Sequence, residues 1–321
     1  MPEPAAPLLE AAGQSWPVAR GSNLLDALNA AGLRVPYSCR SGSCHACLVR
    51  CMRGEPLDAQ PEALSRHLRE QGWRLACQCR VADDLVVQLF DPARDGLPAR
   101  VAELDWLSDS VLRLRLLPEQ PLRYAAGQHL LLWSDDGVAR PYSLASLPAE
   151  EPWLEFHLDC THDGAFTGVA RRLQVGDALR LGELRRGALH YDPDWRERPL
   201  WLLAAGTGLA PLWGVLREAL RQRHQGPIRL MHQARDASGH YLAASLQALA
   251  AEYPQLQLQL LTESEQAASL AELRLVSRQT IALLCGSPAS VEAFARRLFM
   301  IGVPRNQVLA DIFLPHAGES V

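Results

Sequence analysis

Pro36-Tyr37-Ser38-Cys39-Arg40-Ser41-Gly42-Ser43-Cys44-His45-Ala46-Cys47 sets three cysteines in the spacing C-x4-C-x2-C, and a further pair follows at Cys77 and Cys79. That spacing lets one short loop wrap a 2Fe–2S cluster, with thiolates as ligands and backbone amides turned toward the sulfurs. Ser38, Ser41, Gly42, Ser43 and Ala46 are small enough for such close approach. Six of the chain's eight cysteines lie between Cys39 and Cys79. In a reducing compartment a cluster of this kind reads as metal binding before disulfides. Zinc is the rival metal, but its sites usually use paired C-x2-C knuckles, and only Cys44 and Cys47 form one. Cys77 and Cys79 are two apart and would share one face of a strand, so spacing leaves the fourth ligand open between them.

Around this loop the chain runs to 321 residues, 48% of them hydrophobic, enough for two or three cores. A net charge of −4 does not suit a general nucleic-acid binder. No apolar run approaches the roughly 18–20 residues that cross a bilayer, so membrane insertion is not expected. Met1-Pro2-Glu3-Pro4 lacks the basic and apolar regions of a secretory signal, and a cytoplasmic protein is the expectation. All 32 basic residues are arginine. The absence of lysine excludes Schiff-base chemistry and the Walker A phosphate loop.

Three rhythms divide the chain into expected domains at 1–93, 97–195 and 198–321. The first holds short extended stretches at 8–12 and 15–19, a helix over 23–31 capped by Ser22 or Asn23 and stopped at Gly32, and a strand at 47–51. A helical patch near 61–72 and a strand at 85–90 complete it. Asp91-Pro92-Ala93-Arg94-Asp95-Gly96 reads as a linker. The second domain alternates as β, most clearly over 111–116 and 154–158, and predicts a barrel. In the third, apolar strands at 200–205, 228–232, 256–261 and 280–284 alternate with helices, which implies a doubly wound parallel sheet. The fold class is therefore multidomain, β joined to α/β.

The segments 36–44 and Leu75-Ala76-Cys77-Gln78 resemble the two signatures of plant-type ferredoxin domains. The resemblance implies a β-grasp fold and makes the cysteine of the Leu-Ala-Cys-Gln string a ligand. Cys39, Cys44, Cys47 and Cys77 are then the expected metal ligands, with Cys51 and Cys79 as core thiols. His45 stands where that family often has glycine and is expected at the solvent edge.

Arg140-Pro141-Tyr142-Ser143, followed by Leu144-Ala145-Ser146, resembles the flavin signature of the ferredoxin–NADP reductase-like superfamily. By that resemblance Arg140 pairs with the FAD pyrophosphate, for which a guanidinium fork is suited. Tyr142 stacks on the isoalloxazine and Ser143 bonds near its reactive nitrogen. Ala126-Gly127-Gln128-His129 fits the family's Gly-Gln turn. Gly164-Ala165-Phe166-Thr167 matches its pyrophosphate-holding element, and the same alignment puts His157 and Leu158 along the flavin. Leu184-Arg185-Arg186-Gly187-Ala188 departs from the Gly-Pro-aromatic-Gly turn common there.

Gly206-Thr207-Gly208-Leu209-Ala210-Pro211 follows a strand and opens a helix, the context a phosphate-cradling turn requires. It is not the Rossmann fingerprint, because proline replaces the third glycine. It is similar to the reductase superfamily's Gly-x-Gly-x-x-Pro turn, with Pro211 expected at the first helical position. Cys285-Gly286-Ser287-Pro288 resembles that superfamily's Cys-Gly-Pro-Pro loop beside the nicotinamide ring, with Ser287 replacing a proline. Asp311-Ile312-Phe313 occupies its late acidic-x-aromatic element, with aspartate for the usual glutamate, and the tail beyond Phe313 is expected to fray. Arg235 is placed to meet a 2′-phosphate. The several basic residues expected around such a phosphate are missing, which favours NADH over NADPH.

The order ferredoxin, flavin barrel, nicotinamide domain resembles the reductase components of bacterial multicomponent oxygenases. That resemblance implies an NAD(P)H-dependent flavin/iron–sulfur oxidoreductase: hydride passes to FAD, and single electrons leave through the 2Fe–2S cluster to a redox partner protein, an oxygenase component or similar acceptor. Ser143, Cys285 and Asp311 are the groups expected around the nicotinamide–flavin pair. The alternatives are a reductase serving a sugar-deoxygenating dehydratase and a zinc-stabilised, non-catalytic binding protein.

Overall fold

The computed structural model describes residues 5–185 and 187–314. The N-terminal residues 1–4, Arg186 of the departing turn and the tail 315–321 lie outside them. The first sheet is built from β1 (Leu8–Ala11), β2 (Gln14–Pro17), α1 (Leu24–Ala30), β3 (Leu48–Arg53), β4 (Leu57–Asp58), α2 (Arg66–Glu70), β5 (Trp73–Leu75), β6 (Cys79–Arg80) and β7 (Leu85–Leu89). Its order is β2-β1-β7-β3-β5, and β4 pairs separately with β6. β1 runs parallel to β7, while the β1–β2, β3–β5 and β3–β7 pairs are antiparallel. This is the mixed sheet expected of a β-grasp. Asn23 caps α1, its side chain accepting from the Asp26 amide, and the helix buries Leu24, Leu25 and Leu28 against Leu9, Val49 and Leu75.

Two expectations change here. The helical patch at 61–72 is broken into a 3-10 turn at Pro61–Ala63 and the separate α2, capped by Ser65. Between them Leu64 is extended and buried in the core, so burying that one side chain overrides helical continuity. The linker is also ordered: Asp91 caps α3 (Pro92–Asp95), and the Asp95 carboxylate accepts from the Asp91 amide at 2.9 Å.

The second sheet holds β8 (Leu97–Trp106), β9 (Val111–Pro118), β10 (His129–Trp133), β11 (Ala139–Ser143), β12 (Leu154–Asp159) and β13 (Ala178–Arg185), with α4 (Ala165–Ala170) between the last two. It is antiparallel in the order β11-β10-β13-β8-β9-β12. The sheet curls until its ends meet, where the Ala145 amide just past β11 donates to the Glu155 carbonyl of β12 at 2.9 Å. Alternation along β9 sends Leu112, Leu114 and Leu116 into the interior.

The third unit alternates β14 (Leu200–Ala205), α5 (Leu209–Arg221), β15 (Ile228–Ala234), α6 (Ala243–Glu252), β16 (Leu256–Thr262), α7 (Gln266–Glu272), β17 (Ile281–Gly286), α8 (Pro288–Met300) and β18 (Val308–Ile312). Its strands are parallel in the order β16-β15-β14-β17-β18. Successive residues of β14 feed opposite faces: Leu202 packs with α5 through Leu212 and Leu216, and Leu203 with α8 through Phe294 and Leu298. The chain winds outward from β14 through β15 and β16, then returns to β17 on the other side. That reversal opens a crevice at the carboxyl ends of β14 and β17, the usual ligand position in such sheets. No helix among the described residues is long and apolar enough to cross a membrane.

Candidate functional site

The loop from Cys39 to Cys47 is held open by backbone in the left-handed region at Arg40, Gly42 and His45. The Ser41 and Cys44 amides thereby donate to the Cys39 sulfur at 3.3 and 3.4 Å. Gly42 is packed where a Cβ would meet the Gln60 side-chain oxygen at 2.9 Å. The four sulfurs fall into two hydrogen-bonded pairs, Cys39 with Cys44 and Cys47 with Cys77. The Cys44 thiol holds Cys39 down at about 3 against burial, and the Cys47 thiol holds Cys77 at about 7, helped by the Gln78 side chain and the Gly42 amide. Among the described residues no group of three His, Cys, Asp or Glu is placed to hold a single metal ion. Two pairs of thiols fit two irons, each taking two cysteines, better than one zinc.

Cys77 and Cys79 do not share a face. Residues Ala76–Gln78 form a 3-10 turn between β5 and β6, so the period-two expectation fails at the residue where it mattered. Cys77 turns to Cys47, while Cys79 is fully buried in the apolar core and burial pushes its thiol up. Asn23, the cap of α1, fixes this turn by donating to the Cys77 carbonyl at 2.9 Å.

On the barrel, β11 carries Arg140, Tyr142 and Ser143. Among the described residues the Arg140 guanidinium bonds only the Ala139 carbonyl, at 2.8 Å, and has no carboxylate partner, which suits an anionic ligand. The Tyr142 and Phe166 rings lie 5.3 Å apart at 50°. Gly164 and Thr167 open α4 together, the Thr167 hydroxyl accepting from the Gly164 amide at 2.7 Å. β12 splits the next two candidates. Leu158 points into the barrel core, so only its backbone is available to a flavin. His157 points the other way, between the Glu155 carboxylate at 3.0 Å and the Tyr241 hydroxyl at 3.2 Å, on the seam with the third unit. Burial pushes Glu155 up, yet His157 and Arg115 together hold it at about 2. Burial also lowers His157, so its Nε2–H donates to Glu155 and its Nδ1 accepts from Tyr241.

In the crevice, Gly206–Gly208 forms a 3-10 turn, and α5 begins at Leu209, two residues before the expected start. Pro211 is then third in the helix, still within the first turn, where a missing N–H breaks no helical bond. Gly286 sits at φ +148°, where a Cβ would meet that of Ala205 at 2.7 Å. Ser287, in place of the expected proline, caps α8 by accepting from the Ser290 amide at 3.3 Å. Cys285 and Asp311 are neighbours in register on β17 and β18. The Cys285 thiol is wholly buried and pushed well up, hence neutral. Asp311 Oδ1 accepts from the Ala188 amide of the barrel at 3.3 Å, and its buried Oδ2 has no hydrogen bond among the described residues. The Phe313 amide donates to the Gly286 carbonyl at 2.9 Å, tying the chain's end to the same rim. Thr207 lies within the turn, and Arg235 is exposed just past β15.

Residues 9–82 match a 2Fe–2S iron–sulfur cluster binding domain, residues 98–188 an oxidoreductase FAD-binding domain and residues 202–296 an oxidoreductase NAD-binding domain. The terephthalate 1,2-dioxygenase reductase component 1 of a Comamonas species is 31% identical over 93% of this chain and 94% of its own. The chain belongs to the ferredoxin–NAD(P) reductase-like family. The naphthalene 1,2-dioxygenase system ferredoxin–NAD(P)(+) reductase component of Pseudomonas putida is 29% identical over 93% of this chain and 95% of that protein. A ferredoxin reductase solved in a carbazole 1,9a-dioxygenase context shares the fold, with a TM-score of 0.64 at 22% identity over 96% of this chain and 98% of that one. This reductase is thus an electron-transfer oxidoreductase with 2Fe–2S, FAD and NAD(P) as its cofactors.

In the reductase the three units meet around His129. It pairs across the barrel with Ser143 on one side and Arg185 on the other, and donates to the Ser43 backbone carbonyl of the cysteine loop. Asp311 Oδ2 and His129 Nδ1 both crowd Gly187, lying 3.0 and 3.2 Å from where its Cβ would be. Burial lowers the His129 imidazole, and Asp311 opposes it. His45, expected at the solvent edge, is instead 1% exposed, with Nδ1 2.7 Å from Glu183 Oε2. His129 closes the Gly-Gln turn, and nothing in its neighbouring residues marks it as a meeting point. Glu183 carried no signal, being one charge in an alternating strand.

Proposed function

We propose that this reductase passes electrons from NADH to a terminal oxygenase component in the cytoplasm. The observation that carries the reading is the meeting of three units at His129, which neighbours the cysteine loop, the row ending in Ser143, and Asp311 beside Cys285. A bound flavin supplies the conversion that nicotinamide and cluster need between them, taking two electrons as hydride and releasing them singly. Its holders in this reading are Arg140 at the pyrophosphate, Tyr142 and Ser143 at the ring, and Gly164, Thr167 and the backbone of Phe166, whose ring is buried in the barrel core, at the α4 turn, with His157 bracing the seam and the Leu158 backbone alongside. Gly206, Thr207, Gly208 and Pro211 receive the nicotinamide cofactor's pyrophosphate at the start of α5. Cys285, Gly286 and Phe313 bound the ring's place, and Asp311 orients there. Arg235, exposed beside Asp236, lacks the basic neighbours of a 2′-phosphate site, which favours NADH. Cys39, Cys44, Cys47 and Cys77 ligate the iron. The working domain boundaries are 1–93, 97–195 and 198–321. The oxygenase partner is suggested by the dioxygenase systems named for the relatives that match over nearly the whole chain.

Anaerobic stopped-flow mixing with NADH or NADPH tests this. Flavin bleaching followed by cluster bleaching is expected, faster with NADH. A cluster that stays oxidised while the flavin is reduced would refute the path, and equal rates with both donors would refute the NADH preference.

A further inference from the structure

We infer that His45 and Glu183 form a latch that docks the cluster-bearing unit onto the flavin barrel and holds it in register for electron transfer. The inference rests on the electron path proposed above. His45 lies between two of the expected ligands, Cys44 and Cys47, yet its imidazole leaves its own unit and meets a strand of the barrel 138 residues away. Its backbone sits at φ +59°, in the left-handed region, where glycine would be free of steric cost. A side chain kept in that conformation and almost fully buried calls for a contact that offsets it, and the Glu183 carboxylate at 2.7 Å is that contact. An ionised carboxylate only accepts, so the His45 Nδ1 carries the proton and donates.

The bond is set within a larger patch. Cys44 and Ala46 of the loop pack against Leu131, Trp133 and Ala139 of the barrel. Phe90, at the end of the first unit, stacks on Trp133 with centroids 4.9 Å apart and planes at 21°. Arg185, two residues beyond Glu183, donates to the Ala63 carbonyl at 3.2 Å. Apolar contacts of this kind hold two surfaces together but tolerate sliding, whereas one short charge-assisted bond fixes orientation. Because His45 is part of the ligand loop, whatever fixes its ring also fixes the Cys44–Cys47 side of the loop against the barrel.

The test uses the holoprotein with His45→Gly, which removes the imidazole and the backbone strain together, and Glu183→Ala, which leaves the loop sequence intact. Glu183→Gln keeps an acceptor oxygen and serves as the conservative rescue. Flavin bleaching by NADH should match wild type in all three. Cluster bleaching should slow by about tenfold or more in the first two and return most of the way in Glu183→Gln. Hydrogen exchange at residues 131–133 should rise in the same two variants, and the reduced cluster's electron paramagnetic resonance spectrum should change shape as its surroundings loosen. Wild-type cluster bleaching and wild-type exchange in both breaking variants would overturn the latch. So would a His45→Gly protein that loses iron while its remaining clusters bleach at the wild-type rate. If NADH never reduces the wild-type cluster, the electron path itself falls, and the latch with it.

Discussion

A Cβ on Gly208 would collide with the carbonyl oxygen of Cys285, so the turn after β14 and the end of β17 touch backbone to backbone. Gly208→Ala must push the two rims of the crevice apart. The expected result is a KM for NADH raised about tenfold with a smaller change in kcat, and a stability loss of about 1–3 kcal/mol. Steady-state kinetics and thermal unfolding check it. A variant with wild-type KM and melting would mean that the rims have slack.

Cys77 and Cys79 should separate cleanly on substitution. Cys77→Ser is expected to lose most of its iron, because Cys77 is the sulfur facing Cys47. Cys79→Ser buries a hydroxyl in an apolar core and should cost roughly 1–3 kcal/mol while retaining iron. Iron content per chain and thermal unfolding measure both. Iron lost equally from the two variants would undo the assignment.

The barrel seam should make the protein sensitive to acid. Glu155 is held at about 2, below its ordinary 4.5, so its stabilisation is complete above 4.5 and is lost as pH falls toward 2. His157 is lowered by burial from its ordinary 6.5, so the unfolded chain takes up a proton there that the folded one refuses, and stability also falls as pH drops below 6.5. Both groups act in the same direction. Glu155→Gln should be about 2 kcal/mol less stable at neutral pH and show a flatter decline between pH 4.5 and 2. Denaturant unfolding across that range is the measurement, and a decline parallel to wild type would exclude Glu155 as its source.

Cys285→Ala should retain its flavin and bind NADH with nearly unchanged affinity, since the thiol is neutral and wholly buried. Hydride transfer should slow by about tenfold through looser positioning beside Asp311. Single-turnover flavin bleaching at saturating NADH reads the step directly. An unchanged rate removes Cys285 from the reacting pair.

What was legible in sequence was local. The C-x4-C-x2-C loop and the strand–glycine turn–helix at 200–221 each state their geometry within one continuous segment; the loop's amides turn to the Cys39 sulfur as expected, and the helix opens two residues early. Cys77 could be chosen over Cys79 only by resemblance, since periodicity assumed a strand where Ala76–Gln78 makes a 3-10 turn. The capped helix at Pro92–Asp95 had its signal in Asp91-Pro92, but the same letters also describe a loose turn. His45 was misplaced for a different reason. Its burial is created by Glu183, Leu131 and Trp133, residues brought alongside by the fold and invisible to any local window.

The short α3 connection bears on how the acceptor meets this protein. Even if its four helical residues unwound, residues 91–96 would span only about 13 Å as a flexible chain, leaving the iron-bearing head at a millimolar effective concentration beside its electron source. Such a head is no free shuttle. It hands over its charge while still leashed, so any acceptor protein must approach the whole reductase rather than a detached iron-bearing head.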